Sequence, residues 1–316
     1  MDAFYDFIYR KSNQSSLVMV MGSACTEVTR TIAEIVPYWN LLQVSYAATS
    51  PALSEREKYR TFFRLALSDA ALNPARRMLI KHFLWDKVAA LYEDLESMSL
   101  AFNGINKDFT AHGISIKSST SFKDALLEVP GKLKQLKEED VRIIIGGFTG
   151  KSARQVFCET FKQGMYGPRY VWILVGGLKR RWWAEQVKDT NCTQAQLLLT
   201  VEGAFAVFSL DGLLGGGSSV ANLTSRQFQE AYRDANGSRP VSMFAASSYD
   251  TVWTMALTVR QALEIWAENG TYPLLEKQTY DNMDQVKETF INTMESLEFP
   301  GVSVSLKLQA CFYWKK

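Results

Sequence analysis

Hydroxyl side chains gather where an apolar run gives way to a helix pattern. Residues 17–21 lead into Gly22-Ser23-Ala24-Cys25, and a helical spacing opens at Thr26 with Glu27 in its first turn. Such a helix start points unpaired backbone N–H groups and a partial positive charge into the crevice beyond the strand ends. Ser23 and Thr26 add hydroxyl donors there. A second apolar run, 41–46, ends in Ala47-Ala48-Thr49-Ser50-Pro51, which brings Thr49 and Ser50 to the same edge if the two runs are adjacent strands. Donors of this kind hold a carboxylate or a similar anion, so the chemistry is binding and not bond-making. The alternative is structural: Thr26 as a simple N-cap and Thr49-Ser50-Pro51 as a turn.

Other reactive groupings fall short of a mechanism. His82 and His112 are isolated, the first in a helical stretch where it reads as a packed residue, the second before Gly113 in an exposed turn. No Cys-x-x-Cys or His-x-x-x-His spacing occurs, so neither a metal nor a cofactor is implied. Gly150-Lys151-Ser152 follows the apolar run 141–147, as the end of a phosphate loop would, but Ile145 stands where that loop needs its first glycine. Glu138-Glu139-Asp140 reads as a solvated turn. Gly215-Gly216-Gly217 has no lysine behind it and reads as a surface loop. Lys179-Arg180-Arg181-Trp182-Trp183 mixes cations with aromatics, and packing of its tryptophans on a neighbouring surface is the stronger reading. Lys+Arg 35 against Asp+Glu 33 gives a net charge of +2, far from a nucleic-acid binder.

The elements that must position these residues follow from pattern. The 316 residues have room for two domains, with 47% hydrophobic and 22% charged side chains. Short apolar runs at 17–21, 41–46, 88–92, 141–147 and 170–175 read as strands. Helical stripes lie between them: Val28, Ile32, Ile35 and Val36; then Met78, Leu79, His82 and Phe83. The longest is Val252, Trp253, Ala256, Val259, Ala262, Leu263 and Trp266. The alternation predicts an α/β fold, a parallel sheet covered by helices on both faces.

No apolar run reaches the roughly 18 residues needed to cross a bilayer. Four cysteines (Cys25, Cys158, Cys192, Cys311) are too few for a disulfide scaffold. Five Asn-x-Ser/Thr sequons, at Asn13, Asn191, Asn222, Asn236 and Asn269, point to the secretory pathway. The first residues lack a signal-peptide pattern, which for a secretory chain suggests a fragment.

Several blocks, in order, carry a family resemblance. They include Trp39-Asn40-Leu41, Ser45-Tyr46-Ala47-Ala48-Thr49-Ser50-Pro51-Ala52-Leu53, Thr61-Phe62-Phe63-Arg64 and Asn73-Pro74. Downstream come Val156-Phe157-Cys158, Gly167-Pro168-Arg169-Tyr170-Val171-Trp172, Tyr249-Asp250-Thr251-Val252-Trp253 and Phe299-Pro300-Gly301-Val302. Over nearly its whole length the chain resembles the extracellular ligand-binding domain of metabotropic GABA (type B) receptors.

That resemblance implies a two-lobed, periplasmic-binding-protein-like (Venus flytrap) fold with the family's N-terminal part of lobe 1 missing. Lobe 1 would take residues 1–68 and 206–303, lobe 2 residues 69–205, with 304–316 running towards lobe 2. Cys158 and Cys192 match the family's lobe-2 disulfide, while the partner matching Cys25 is missing and Cys311 has no counterpart. The agonist carboxylate would be held by hydroxyls at Thr26 and Thr49. Other gripping side chains are replaced: the family's His falls on Ala66, its Tyr on Thr149, its Trp on Gly177, and the Glu that takes the amino group on Phe244. Losing that carboxylate removes the partner of a buried ammonium.

Blocks such as Ala3-Phe4-Tyr5-Asp6 are closer to the subunit that does not bind agonist but couples to G protein. The resemblance thus implies a heterodimer partner facing a second GABA-B-like subunit through lobe 1, with Tyr5 and Tyr9 at that interface or, alternatively, facing the core. It also implies a plasma-membrane location on the extracellular side, G-protein coupling through a missing membrane domain, and a possible small amino-acid-like ligand. A solute-binding module of another receptor or uptake system is the competing class, and an α/β enzyme has least support.

Overall fold

A computed structural model describes residues 4–6, 17–175, 178, 181–185, 189–207, 218–237, 241–242, 244–270, 284–303 and 305–307. In chain order the elements are β1 (Met19–Met21), α1 (Thr26–Ile35), β2 (Leu42–Ser45), β3 (Phe62–Arg64), α2 (Asn73–His82), β4 (Val88–Glu93) and α3 (Glu96–Ala111). There follow β5 (Ile116–Phe122), α4 (Ala125–Glu138), β6 (Ile143–Gly147), α5 (Gly150–Lys162), β7 (Val171–Val175), α6 (Gln194–Val201) and β8 (Phe205–Ala206). The last are α7 (Ser225–Ala235), α8 (Ala245–Glu268), α9 (Asp284–Ser296), β9 (Glu298–Pro300) and β10 (Ser305–Lys307). The chain divides into two compact units, one of Met1–Thr49, Leu53–Leu67 and Leu210–Lys316, the other of Ser50–Ala52 and Ser68–Ser209.

In unit 1 a parallel sheet runs in the order β1-β2-β3. Met19, Leu42, Val44 and Phe63 pack on Ala262 and Trp266 of α8 and on Val286, Phe290 and Met294 of α9. The opposite face carries α1, with Ala33 against Ala48, Leu53, Tyr59 and Phe62. Small residues do this work: Thr29 and Ala33 are buried in α1, whereas Val28 of the expected stripe is 49% exposed. The pair β9–β10 is antiparallel, with Leu306 opposite Phe299. Residues 308–316, most of the segment expected to leave towards lobe 2, lie outside the described residues, as does the glycine run 215–217.

Helix α8 departs furthest from expectation. Its buried face is Ser247, Asp250, Thr251, Thr254, Thr258, Ala262 and Trp266, and Val252 from the predicted stripe is 55% exposed. The threonines bury because each hydroxyl donates back one turn, Thr251 to Ser247 O, Thr254 to Asp250 O and Thr258 to Thr254 O, leaving a methyl to pack. Asp250, fully buried, accepts from Val302 N (2.9 Å), Ser303 N (2.8 Å) and the Ser303 hydroxyl. One carboxylate thus fastens the chain beyond β9 to the long helix.

In unit 2 five parallel strands run in the order β5-β4-β6-β7-β8. Alternate residues serve opposite faces. Ala89, Leu91, Ile144 and Trp172 pack with α4 and α5, while Val88, Ala90, Ile145 and Ile173 pack with Ile80, Phe102 and Phe109 from α2 and α3. Two covered faces explain why β4, β6 and β7 were legible as unbroken apolar runs. Strand β5, sequence IKSSTSF, is an edge strand with mixed exposure and carries no such run. The strands β3 and β8 are too short for a pattern. In α2 the expected stripe is only partly packed: Leu79 lies against the core, but Met78 is 69% exposed and His82 is exposed rather than packed, while Asn73, Arg76 and Ile80 are buried.

A disulfide joins Cys158 in α5 to Cys192 just before α6. Nearby, Arg154 is buried and forms ion pairs with Asp189 and Glu185 while donating to Trp182 O. Trp182 itself is 3% exposed within the core beside Phe157. Cys25 is a free, exposed thiol.

Replacing Asp250 by Ala strands three buried donors, so Asp250→Ala is expected to cost about 3 kcal/mol and Asp250→Asn less. Urea unfolding checks this; an unchanged midpoint for Asp250→Ala would show that the carboxylate does not hold the segment.

Candidate functional site

Strands β1 and β2 pair with Met21 opposite Val44, so both chains leave unit 1's sheet at the same edge. Gly22 extends the pairing by one bond, donating to Val44 O at 2.8 Å with a φ of 111°, a conformation open to glycine. Ser45, the last residue of β2, ties the two exits together. Its hydroxyl donates to Ser23 O at 2.7 Å and accepts from Ala47 N and Ala48 N at 3.3 and 3.1 Å. Its carbonyl accepts from Leu65 N at 3.0 Å, which draws in the exit of β3. Gln43 adds a buried bond to Gly22 O at 2.8 Å. Ser45 was present in the sequence only as a member of a block; a serine closing an apolar strand was the signal for it.

The predicted hydroxyls divide in two on this frame. Ser23 is committed to the turn, donating to Cys25 O at 3.0 Å and lying 3.0 Å from Thr29 Oγ1. Ser50 is 2% exposed and accepts from Ala52 N at 3.3 Å; it falls with unit 2. Thr26 and Thr49 remain partly exposed in unit 1. Thr26 is the first helical residue rather than the N-cap, a position taken by Cys25, which makes no side-chain hydrogen bond. The start of α1 therefore lacks the side-chain cap that would compete with a ligand for its amides. Among the described residues the Thr26 hydroxyl has no partner, and it stands on that uncapped turn.

An aromatic pair borders the exit of β2. Phe244, the N-cap of α8, lies edge-on to Tyr46 with ring centroids 6.4 Å apart, and is 36% exposed. Ala66 follows the end of β3, and a methyl there offers no proton or charge. The edge thus combines hydroxyl side chains and an uncapped helix start with an apolar border.

Thr149 is the N-cap residue of α5 after β6, and its N–H donates to Glu93 Oε2 at 2.8 Å, Glu93 being the last residue of the neighbouring β4. That bond reaches the N–H of the N-cap residue and not the amides of Gly150-Lys151-Ser152, and α5, like α1, begins without a side-chain cap. Gly146 and Gly147 serve packing instead: a Cβ on Gly146 would meet the Phe148 ring at 2.6 Å, and one on Gly147 would strike Phe102.

Among the remaining expected residues, Tyr5 is 36% exposed, next to Phe4, which is buried with Val36 and Leu41. Tyr9, Asn13 and Gly177 lie outside the described residues. Asn191, Asn222 and Asn269 are exposed and Asn236 partly so. Thr193 and Thr224, the third residues of two sequons, also N-cap α6 and α7 in capping boxes. His112 is exposed and lies 3.0 Å from Arg77, which pairs with Asp108.

The model of the receptor family ligand binding region matches residues 1–310. The chain belongs to that family. Its sheets flanked by helices are the family's periplasmic-binding-protein-like architecture. It is 32% identical over 304 residues to γ-aminobutyric acid type B receptor subunit 2 of Rattus norvegicus, covering 95% of this chain and 32% of that protein. Subunit 1 of Mus musculus is 29% identical over 94% of the chain, and subunit 1 of Caenorhabditis elegans 30% over 96%. The chain spans about a third of the length of these relatives. Those relatives are receptor subunits, and the region matched in this chain is the family's ligand binding region.

Because the Ser45 hydroxyl joins three backbone groups, Ser45→Ala is expected to cost about 1–3 kcal/mol. A urea midpoint that falls at unchanged slope confirms it. A midpoint equal to that of the parent would mean that the exits are held by other bonds.

Proposed function

We propose that the chain is the extracellular ligand-binding region of a class C G-protein-coupled receptor at the plasma membrane. In this reading it acts as a subunit-2-like partner in a heterodimer and does not itself hold GABA. The observation that carries the reading is Phe244, an aromatic beside Tyr46 where a GABA-gripping subunit would place a carboxylate. An ammonium brought against that border would lose its water without gaining a counter-charge, at a cost of several kcal/mol. Thr149 and Ala66 remove two further contacts. Similarity to both receptor subunits supports the dimeric setting.

The partner would be a second GABA-B-like subunit, met through lobe 1 with Tyr5 and Tyr9 at the contact; G protein would be reached through a membrane domain elsewhere in the receptor. Asn13, Asn191, Asn222, Asn236 and Asn269 would carry glycans. The uncapped start of α1 with Thr26, together with Thr49, favours a second reading in which a different small amino-acid-like ligand is held by its carboxylate.

Calorimetric titration of the purified ectodomain separates these readings. GABA is expected to give no binding heat. Heat on adding GABA that disappears in Thr49→Ala would overturn the non-binding assignment. A panel of other amino acids then tests the second reading, with Thr26→Ala and Thr49→Ala each expected to weaken any hit about tenfold, as loss of one hydrogen bond to a charged group does.

A further inference from the structure

Two links of different chemistry join α5 to the segment before α6, one helical turn apart. One is covalent: Cys158 and Cys192 are bonded across a sequence separation of 34. The other is ionic, between Arg154 and Asp189, across a separation of 35. Arg154 precedes Cys158 by four residues, so both stand on one face of α5. Asp189 precedes Cys192 by three. Once Arg154 holds Asp189, the thiol of Cys192 is carried to Cys158.

The ionic link fixes direction as well as distance. Arg154 Nε donates to Asp189 Oδ2 at 2.8 Å and to Oδ1 at 3.1 Å, and Nη2 donates to Oδ2 as well. Nη1 turns the other way, to Glu185 Oε2 at 2.8 Å and Trp182 O at 3.2 Å. The Gln155 amide adds a bond to Asp189 O at 3.1 Å. The planar guanidinium fork thus grips the segment at several points. The Arg154 and Asp189 side chains are 5% and 6% exposed, which shields the pair from water and salt. Four cysteines can form two bonds in three ways, and Cys25 is a free, exposed thiol in unit 1. Whichever link forms first bears the entropy of closing the loop, and the second then forms within a loop already closed.

We propose that Arg154 is a positioning residue for disulfide formation: its grip on Asp189 selects Cys192 as the partner of Cys158 and keeps the two thiols together when the bond is reduced. The reaction is exchange with a small disulfide such as oxidised glutathione. The thiolate of one cysteine attacks it, forming a mixed disulfide and releasing one glutathione. The other cysteine's thiolate then displaces the second glutathione. In net terms the S–S bond of the oxidant is broken and that of the protein formed; two electrons and two thiol protons pass to the released glutathione. The role is independent of whether unit 1 holds an amino-acid-like ligand.

Equilibrating the purified chain in glutathione redox buffers, trapping free thiols and quantifying the Cys158–Cys192 linkage by mass spectrometry gives the effective concentration of the pair. Asp189→Asn and Arg154→Met are each expected to lower it about tenfold, as loss of hydrogen bonds between charged groups does. On refolding from the reduced state, both should also raise the share of chains in which Cys158 or Cys192 is joined to Cys25 or Cys311. Val156→Ala loosens the buried packing of the same helix without touching the pair, and should leave the effective concentration within about twofold. An unchanged value in Asp189→Asn overturns the proposal. So does an equal fall in Val156→Ala, which would mean that helix packing alone aligns the thiols. If Arg154→Met does not fold, Asp189→Asn decides, because it keeps the side-chain shape and leaves Glu185 facing the guanidinium.

Discussion

Parallel pairing of β1 with β2 is the constraint on which the candidate site depends. Parallel strands leave a sheet at one edge, so the segments that follow Met21 and Ser45 start from the same end of the sheet. Once the exits are adjacent they must be held apart from collapse and from each other's unpaired groups. Ser45 does this with one hydroxyl that serves both exits, and its carbonyl engages the third. Local polar saturation at the strand ends leaves the first turn of α1 as the part still open to a ligand.

Buried charge organises each unit separately. In unit 1, Asp250 fastens residues 302 and 303 to the long helix α8. In unit 2, Arg154 fastens the segment around Trp182 and Asp189 to α5, beside the Cys158–Cys192 disulfide. Both ions are costly to desolvate, and both are surrounded by partners, which is how an interior tolerates them. Neither α1 nor α5 has a side-chain cap, and Glu93 accepts from the N–H of Thr149, the N-cap residue of α5.

Much of the fold was legible in the residues. The strands within 88–92, 143–147 and 171–175 could be read because they are covered on both faces and so form unbroken apolar runs. Edge strand β5, half polar, gave no comparable signal. Helix faces were less legible. In α8 the packed stripe is threonine and serine, whose hydroxyls turn back on the helix, and in α2 it includes asparagine and arginine. Hydropathy assigns such residues to solvent, and only their bonds reveal otherwise. At the site, the hydroxyls were found from sequence, but two of the four, Ser23 and Ser50, are committed to local hydrogen bonds or buried.

By itself the sequence determined the α/β class and the family likeness, because both reside in local patterns: apolar runs, turn residues and ordered blocks. Tertiary structure alone decided that Ser23 is engaged and Ser50 buried, that Ser45 is the tie between strand exits, and that Arg76 is interior. The reason is physical. Availability of a polar group depends on the partners that distant segments bring to it, and those partners are set by strand order and helix packing, not by neighbours along the chain.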